Sequence, residues 1–254
     1  MKKLELIALE GIPLIEEGDN LVEIILTALE RNKISLSNGN VLVIAQKIVS
    51  KSEGRYASLN DIKPSQQAID LSRETDKDPK LVQLILNESK EVVRYRKGVI
   101  VVENILGLIH ANAGIDKSNI KSDSNNPRVL LLPLDPDKSA TEIRKEILKK
   151  TKKKVGIIIN DSSGRAWRNG IVGIAIGSSG AEVLSDLKGN LDLFGNTLEV
   201  TEVGKADEVA SAASLLMGQG KEALPVVVIK GLTESEDLNG AKALIRKPSE
   251  DLFR

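Results

Sequence analysis

The stretch Val155–Gly180, VGIIINDSSGRAWRNGIVGIAIGSSG, decides how this chain is read. Val155 to Ile159 is a short apolar, β-branched run, and Gly170 to Ile176 is a second, so two buried strands are expected. Between them a polar loop is expected, holding Asn160, Asp161, Ser162, Ser163, Gly164, Arg165, Trp167 and Arg168. An acid, two hydroxyls and a glycine at the carboxyl end of a buried strand put oxygen ligands where a site can form. Arg165 and Arg168 follow, so an anion and a cation could both be held there. On local pattern alone, a polar turn between strands explains the stretch equally well.

Composition narrows the chemistry. The 254 residues are 41% hydrophobic and 28% charged, an ordinary globular balance with room for a sizeable core. Aromatics are only 2%, so Leu, Ile and Val must fill that core. Acidic and basic side chains balance at 36 each, which argues against a general nucleic-acid binder. The absence of cysteine excludes disulfides, thiolate zinc sites and a cysteine nucleophile. The single histidine, His110, excludes a two-histidine metal site. It lies in the alternating run Leu108–Ala111 and reads as a structural strand histidine ahead of a catalytic one. Any metal should therefore be a hard cation held by oxygen, Mg²⁺ or Mn²⁺ before Zn²⁺. No apolar stretch reaches membrane-spanning length and no long signal-peptide core opens the chain, so a soluble cytoplasmic protein is expected.

Outward from the central stretch, Leu4–Leu9 predicts a first strand and Asp19 or Asn20 a helix cap. Leu21, Ile24, Ile25, Ala28 and Leu29 mark one face of an amphipathic helix. Val41–Ala45 predicts a strand, followed at once by Gln46, Lys47, Lys51 and Arg55. Those cations could grip a polyphosphate, although a solvated edge is the plainer reading of them taken alone. Asp78-Pro79 should open a helix through Leu81, Leu84 and Ile85. Val99–Glu103 and Leu108–Ala111 predict strands, and Asn112–Asn119 a second acid-bearing loop containing Asp116. Ser122–Pro127 reads as a polar loop, Val129–Leu132 as a strand, and Ser139 as the cap of a helix carrying Ile143, Ile147 and Leu148. Lys188–Asn190 and Gly195-Asn196 carry hairpin-turn chemistry. Val209, Ala212, Ala213 and Leu216 form a helix face stopped at Gly218, with Gln219 directly after it. Pro225–Ile229 predicts a last buried strand, and Leu244-Ile245 and Leu252-Phe253 are the only anchors in a charged tail. Neither a GxxxxGK[ST] nor a GxGxxG signature occurs, and Gly170, Gly173, Gly177 and Gly180 read as close-packing positions.

Several stretches in order resemble one family: GIPL (Gly11–Leu14), QKIVSKSEGR (Gln46–Arg55), KDPKLVQLILNES (Lys77–Ser89), ANAGIDKSN (Ala111–Asn119), DSSGRAWRNG (Asp161–Gly170), MGQG (Met217–Gly220), PVVVIKG and the terminal LIRKPSEDLFR. Together they are similar to the coenzyme F420-0:L-glutamate ligases, and the likeness runs essentially from end to end. The resemblance implies a GTP-dependent amide ligase of the stand-alone archaeal type. Such enzymes phosphorylate the terminal carboxylate of F420-0, and the amine of L-glutamate attacks the acyl phosphate. GDP and phosphate leave, and a second, γ-linked glutamate can follow. It also implies a divalent pair, Mg²⁺ or Mn²⁺, with K⁺ as activator, and an intertwined homodimer with an α+β fold of mixed sheets and helices. One catalytic unit over residues 1–254 is expected, with two subdomains as the alternative.

Carried over by position, Asp116, Asp161, Ser162 and Gln219 resemble the metal ligands. Gly11, Ile12, Pro13, Leu14, Gln46, Lys47, Lys51, Asn119, Gly218 and Gly220 resemble nucleotide-contacting positions. Many relatives have Thr at Ser162, which keeps the hydroxyl; some have Phe at Ser163, Pro at Ala166 and Asp at Gly173. Carboxylate plus GTP is a meeting of anions, so catalysis must be mostly charge neutralisation and positioning. Lys47, Lys51, Arg165 and Arg168 are the available cations, and Arg165 is the pick for transition-state charge because its planar fork suits a phosphoryl group. A paralogous γ-glutamyl ligase with another acceptor and a GTP-binding regulatory module without turnover stand as the rival readings.

Overall fold

The computed structural model describes residues 2–123 and 125–252. Its central sheet has five strands: β1 (Glu5–Ala8), β2 (Val41–Ala45), β8 (Gly156–Arg165), β9 (Arg168–Ser179) and β12 (Val226–Lys230), in the order β1-β12-β2-β8-β9. Only β2 and β8 run parallel; the other pairs are antiparallel. The parallel pair, VLVIA beside GIIIN, is buried through its apolar part, as near-continuous β-branched runs require. Helices cover both faces. α1 (Leu21–Arg31) and α5 (Pro136–Thr151) enclose one core with Ile25, Leu29, Ile143, Ile147, Leu42, Ile44 and Ile157. α6 (Lys205–Met217) closes the other over Val43, Ile158 and Val227.

A separate core lies under α3 (Gln66–Thr75) and α4 (Pro79–Asn87). There Leu71, Val82 and Ile85 meet Ile100 and Val102 of a three-stranded sheet, β4 (Ser89–Arg96), β5 (Val99–Asn104) and β6 (Ile109–Ala111). β3 (Tyr56–Ser58) pairs with β7 (Arg128–Leu130) beside it, and β10 (Ser185–Asp186) pairs with β11 (Glu202–Val203) elsewhere on the surface. The architecture is α+β.

Local expectations hold where capping and periodicity decide. Asn20 accepts from Glu23 N at 3.1 Å to start α1, whereas Asp19 caps the preceding turn at Glu16 N. Asp78 and Pro79 open α4. Five corrections stand out. The segment after Ile159 is strand: β8 and β9 continue as one long hairpin, and only Ala166 and Trp167 form the turn, Trp167 at φ 62°. Its polar side chains misled, because the antiparallel ladder satisfies the backbone whatever the side chains carry. Gln46–Ser52 is a helix, α2, and α3 and β4 stand outside the elements expected from the sequence, although α3 buries Ala68, Leu71, Ser72 and Thr75 at helical spacing. Asp135, accepting from Lys138 N at 3.0 Å, caps α5 in place of Ser139, whose hydroxyl bonds Glu53 and the Asp135 carbonyl. α6 buries Ala206, Ala210, Ala213 and Met217, leaving Leu216 exposed. Small residues face the sheet because the helix sits tight on Gly173, where an added Cβ would meet the Ala210 carbonyl at 2.6 Å. In the tail, Leu252 is 91% exposed and anchors nothing, and Phe253 lies outside the described residues.

Candidate functional site

The carboxyl ends of the parallel pair open into a cleft of about 1620 Å³. Its walls come from five places: the 12–17 turn after β1, α2 with the end of β2, Tyr56 of β3, the loop from Asp116 to Asp123 with Asn126 and Arg128, and Asn160–Ser162 with the 217–225 segment after α6. The cleft forms there because the strands end together while their connections diverge. α2 begins directly at the end of β2, so Gln46, Lys47 and Lys51 project from the first turns of one short helix into the cleft.

Asp116 is held by this helix. Gln46 Nε2 donates to its Oδ2 at 2.7 Å, and Lys47 Nζ stands 3.3 Å from its Oδ1. Gln46 is oriented in turn by the Ser50 hydroxyl, which donates to its Oε1 at 2.9 Å. Lys51 Nζ donates to the Asn119 carbonyl at 2.8 Å, and Asn119 Nδ2 donates to the Gly220 carbonyl at 3.1 Å. Half-burial, and then Lys47 beside it, lower the Lys51 ammonium from its usual range. Gly218, at φ 67°, ends α6 and turns Gln219 and Gly220 into the cleft.

Asp161 lies on β8 where the strand emerges from the core. Its carboxylate accepts from the Ser162 N–H at 2.8 Å and faces His110 Nε2 at 3.5 Å. Burial pushes its pKa up to about 6; His110 partly offsets this, while Asp116 adds repulsion. His110 is 5% exposed and buried in β6, in keeping with a structural strand residue, and its contact with Asp161 ties the three-stranded sheet to the central hairpin.

All four expected metal ligands, Asp116, Asp161, Ser162 and Gln219, line this one cleft. Among the described residues no three His, Cys, Asp or Glu side chains cluster as a cation site. The donors are instead two carboxylates, a hydroxyl and an amide, an all-oxygen set that suits a hard divalent cation. Two mutually repelling carboxylates, one of them desolvated, fit such an ion, since its charge would relieve both penalties.

Ile12, Pro13, Leu14, Gln46, Lys47, Lys51, Asn119, Gly218 and Gly220 line the cleft as well. Gly11, Arg165 and Arg168 do not. Gly11 stands behind the wall, its carbonyl accepting from Arg31 Nη1 at 2.9 Å. Arg165 sits at the tip of the β8–β9 hairpin, its Nη2 donating to the Asn169 carbonyl at 3.2 Å, exposed and outside the lining. Lys47 pairs with Asp116, and Lys51, Lys121, Arg128 and Lys221 are further cations in the lining. Tyr56, Arg128, Glu16 and Glu17 also line the cleft and drew no notice in the sequence. The only available signal was that Tyr56 is one of two tyrosines in a chain poor in aromatics.

The fold and cleft thus describe an α+β protein with an oxygen-lined, lysine-flanked pocket of substrate size. A model of the F420-0:Gamma-glutamyl ligase family matches residues 11–231. The Coenzyme F420:L-glutamate ligase of Methanothermobacter thermautotrophicus is 43% identical over 253 residues, 99% of each chain. That of Methanocaldococcus jannaschii is 45% identical over 255 residues, covering 100% of this chain and 98% of the relative. The Methanococcus maripaludis ligase of the same name is 46% identical over 254 residues, covering 99% of this chain and 98% of the relative. The chain belongs to the F420-0:gamma-glutamyl ligase family.

Proposed function

We propose that this chain joins L-glutamate to coenzyme F420-0 through an amide bond at the expense of GTP. The observation that carries the reading is the meeting in one cleft of Asp116, Asp161, Ser162 and Gln219 with Lys47 and Lys51. In a family whose relatives are named for this ligation, that is the equipment an anion-plus-anion reaction needs.

In the first step a carboxylate oxygen of F420-0 takes the γ-phosphoryl group, and GDP leaves. In the second the amine nitrogen of glutamate attacks the acyl carbon; phosphate departs with the carboxylate oxygen, and the nitrogen sheds its proton. Asp116, Asp161, Ser162 and Gln219 would hold a divalent pair, Mg²⁺ or Mn²⁺, with K⁺ as a further activator. Bound there, such ions neutralise phosphate charge and polarise the transferring group. Lys51 and Lys47 hold the nucleotide's phosphates as point charges. Gly218 and Gly220 let the backbone approach the nucleotide closely. A homodimer working in the cytoplasm completes the reading. Among the described residues no helix is long and apolar enough to cross a membrane.

The test is product mass after incubation with F420-0, L-glutamate, GTP, Mn²⁺ and K⁺. A gain of one or two glutamyl residues that requires GTP supports the reading. No gain, from folded protein that binds GTP, transfers the assignment to a paralogous ligase with another acceptor. GTP binding without turnover on any acceptor leaves a regulatory module.

A further inference from the structure

Past the acids, the cleft continues over the small β3–β7 sheet. Tyr56 pairs with Leu130 and Ser58 with Arg128, while Asp116 bridges to Leu130 from the other side. Residues directly opposite share a face of a sheet, and so do alternate residues along a strand. Asp116, Tyr56 and Arg128 therefore project from one face, above the buried Leu130, and all three reach the cleft. Two strand spacings separate Tyr56 from Asp116, about 10 Å of backbone. That is comparable with the reach from a nucleotide's phosphates to its base.

The Arg128 guanidinium lies over the Tyr56 ring, 4.1 Å from its centroid. Its backbone N–H donates to the Ser122 hydroxyl at 2.9 Å, which fixes the start of the strand. Glu16 and Glu17 stand on the same rim, close enough to act electrostatically on the Tyr56 hydroxyl. Glu17 packs against the backbone of Gly54, where an added Cβ would come within 2.6 Å of its carboxyl carbon. The rim thus presents a guanidinium fork over an aromatic ring, with the Glu16 and Glu17 carboxylates in the same lining.

We propose that Arg128, held on Tyr56, reads the base of the bound nucleotide and selects guanine over adenine, with Glu17 serving the base's amino edge. The inference rests on the nucleotide reading given under Proposed function and adds the residues that set the base. Guanine presents two acceptors, O6 and N7, which the two parallel N–H donors of a guanidinium match. Adenine replaces O6 with an amino donor, so the same fork meets a donor and loses a bond. Guanine N1–H and its 2-amino group are donors that a carboxylate accepts; adenine offers an acceptor at N1, facing an anion. Both partners thus favour guanine, one by attraction and one by exclusion.

Calorimetry on the full chain with Mg²⁺ and GDP, IDP or ADP tests this. The unaltered protein should bind GDP more tightly than ADP. Arg128→Met should weaken GDP on the order of tenfold to a hundredfold, with ADP changed less than about twofold. Arg128→Lys keeps the charge but loses the fork, and should behave like Arg128→Met. IDP keeps O6, N7 and N1–H but lacks the 2-amino group, so it should depend on Arg128 as GDP does and lose less than GDP on Glu17→Gln. Equal losses for GDP and ADP in a variant with an unchanged melting curve would make Arg128 a phosphate cation and overturn the inference. So would an unchanged GDP-to-ADP ratio, or a loss confined to F420-0 binding. Equal affinity of the unaltered protein for GDP and ADP overturns the inference alone. Failure to bind either overturns the nucleotide reading as well.

Discussion

Asp161 gives the most discriminating single experiment, because its desolvation penalises the metal-free protein and would be relieved by a cation. Its pKa rises from the ordinary 3.8 to about 6 on folding, chiefly through burial. Below pH 4 the carboxyl is neutral in both folded and unfolded chains and carries no charge penalty. As pH climbs through the interval between the two values, the unfolded chain ionises first, and stability falls by up to about 3 kcal/mol. Above pH 6 the penalty is constant. Asp161→Asn keeps an oxygen for the Ser162 N–H and removes the charge, so the metal-free variant should be more stable than the parent by up to about 3 kcal/mol at pH 7.5. The gain should shrink toward zero at pH 4. Urea unfolding in the presence of chelator, at both pH values, measures the difference. Mn²⁺ at a hundred times its dissociation constant should raise the parent's stability by about 2.7 kcal/mol and the variant's far less. A variant no more stable than the parent at pH 7.5, or equally stabilised by Mn²⁺, would refute the reasoning.

Asp161→Ala should abolish ligation while circular dichroism and chromatography show a folded protein; normal product formation by a metal-loaded variant would remove Asp161 from the mechanism. Lys51→Ala should weaken GTP binding more than acceptor binding, because its ammonium sits on the Asn119 side of the cleft; calorimetry with each ligand decides it. Gly173→Ala should cost about 1–3 kcal/mol in denaturant unfolding, since the new methyl collides with the Ser214 hydroxyl and the Ala210 carbonyl across a close helix–sheet contact. Asp137→Ala should release the C-terminal segment, because Asp137 accepts from Ser178 N at 2.8 Å and Ala241 N at 2.6 Å. Hydrogen exchange should quicken at residues 178 and 241, with a stability loss of about 1–3 kcal/mol.

The chain's own order specified the donor chemistry. With no cysteine and one histidine, oxygen donors came first, and Asp116, Asp161, Ser162 and Gln219 were visible as acid, hydroxyl and amide near predicted strand or helix ends, their grouping as ligands coming from the family resemblance. Uniform β-branched runs such as VLVIA and GIII identified the buried strands, since few other structures can bury such a run. Caps at Asn20 and Asp78 were equally legible, because a cap is a local bond. Tertiary structure decided the rest. Whether DSSGR is loop or strand depends on β9 lying alongside it, and polarity cannot report a partner strand. The exposed face of α6 was set by the tightness of its seat on Gly173, not by its leucines. Arg165 carried the right chemistry but lies at a hairpin tip, whereas Arg128, silent in sequence, lies in the cleft because β7 pairs with β3. Gln46 and Asp116 are distant in the chain and 2.7 Å apart in space. Residue type fixes what a side chain can do, and long-range pairing of backbone fixes which side chains do it together.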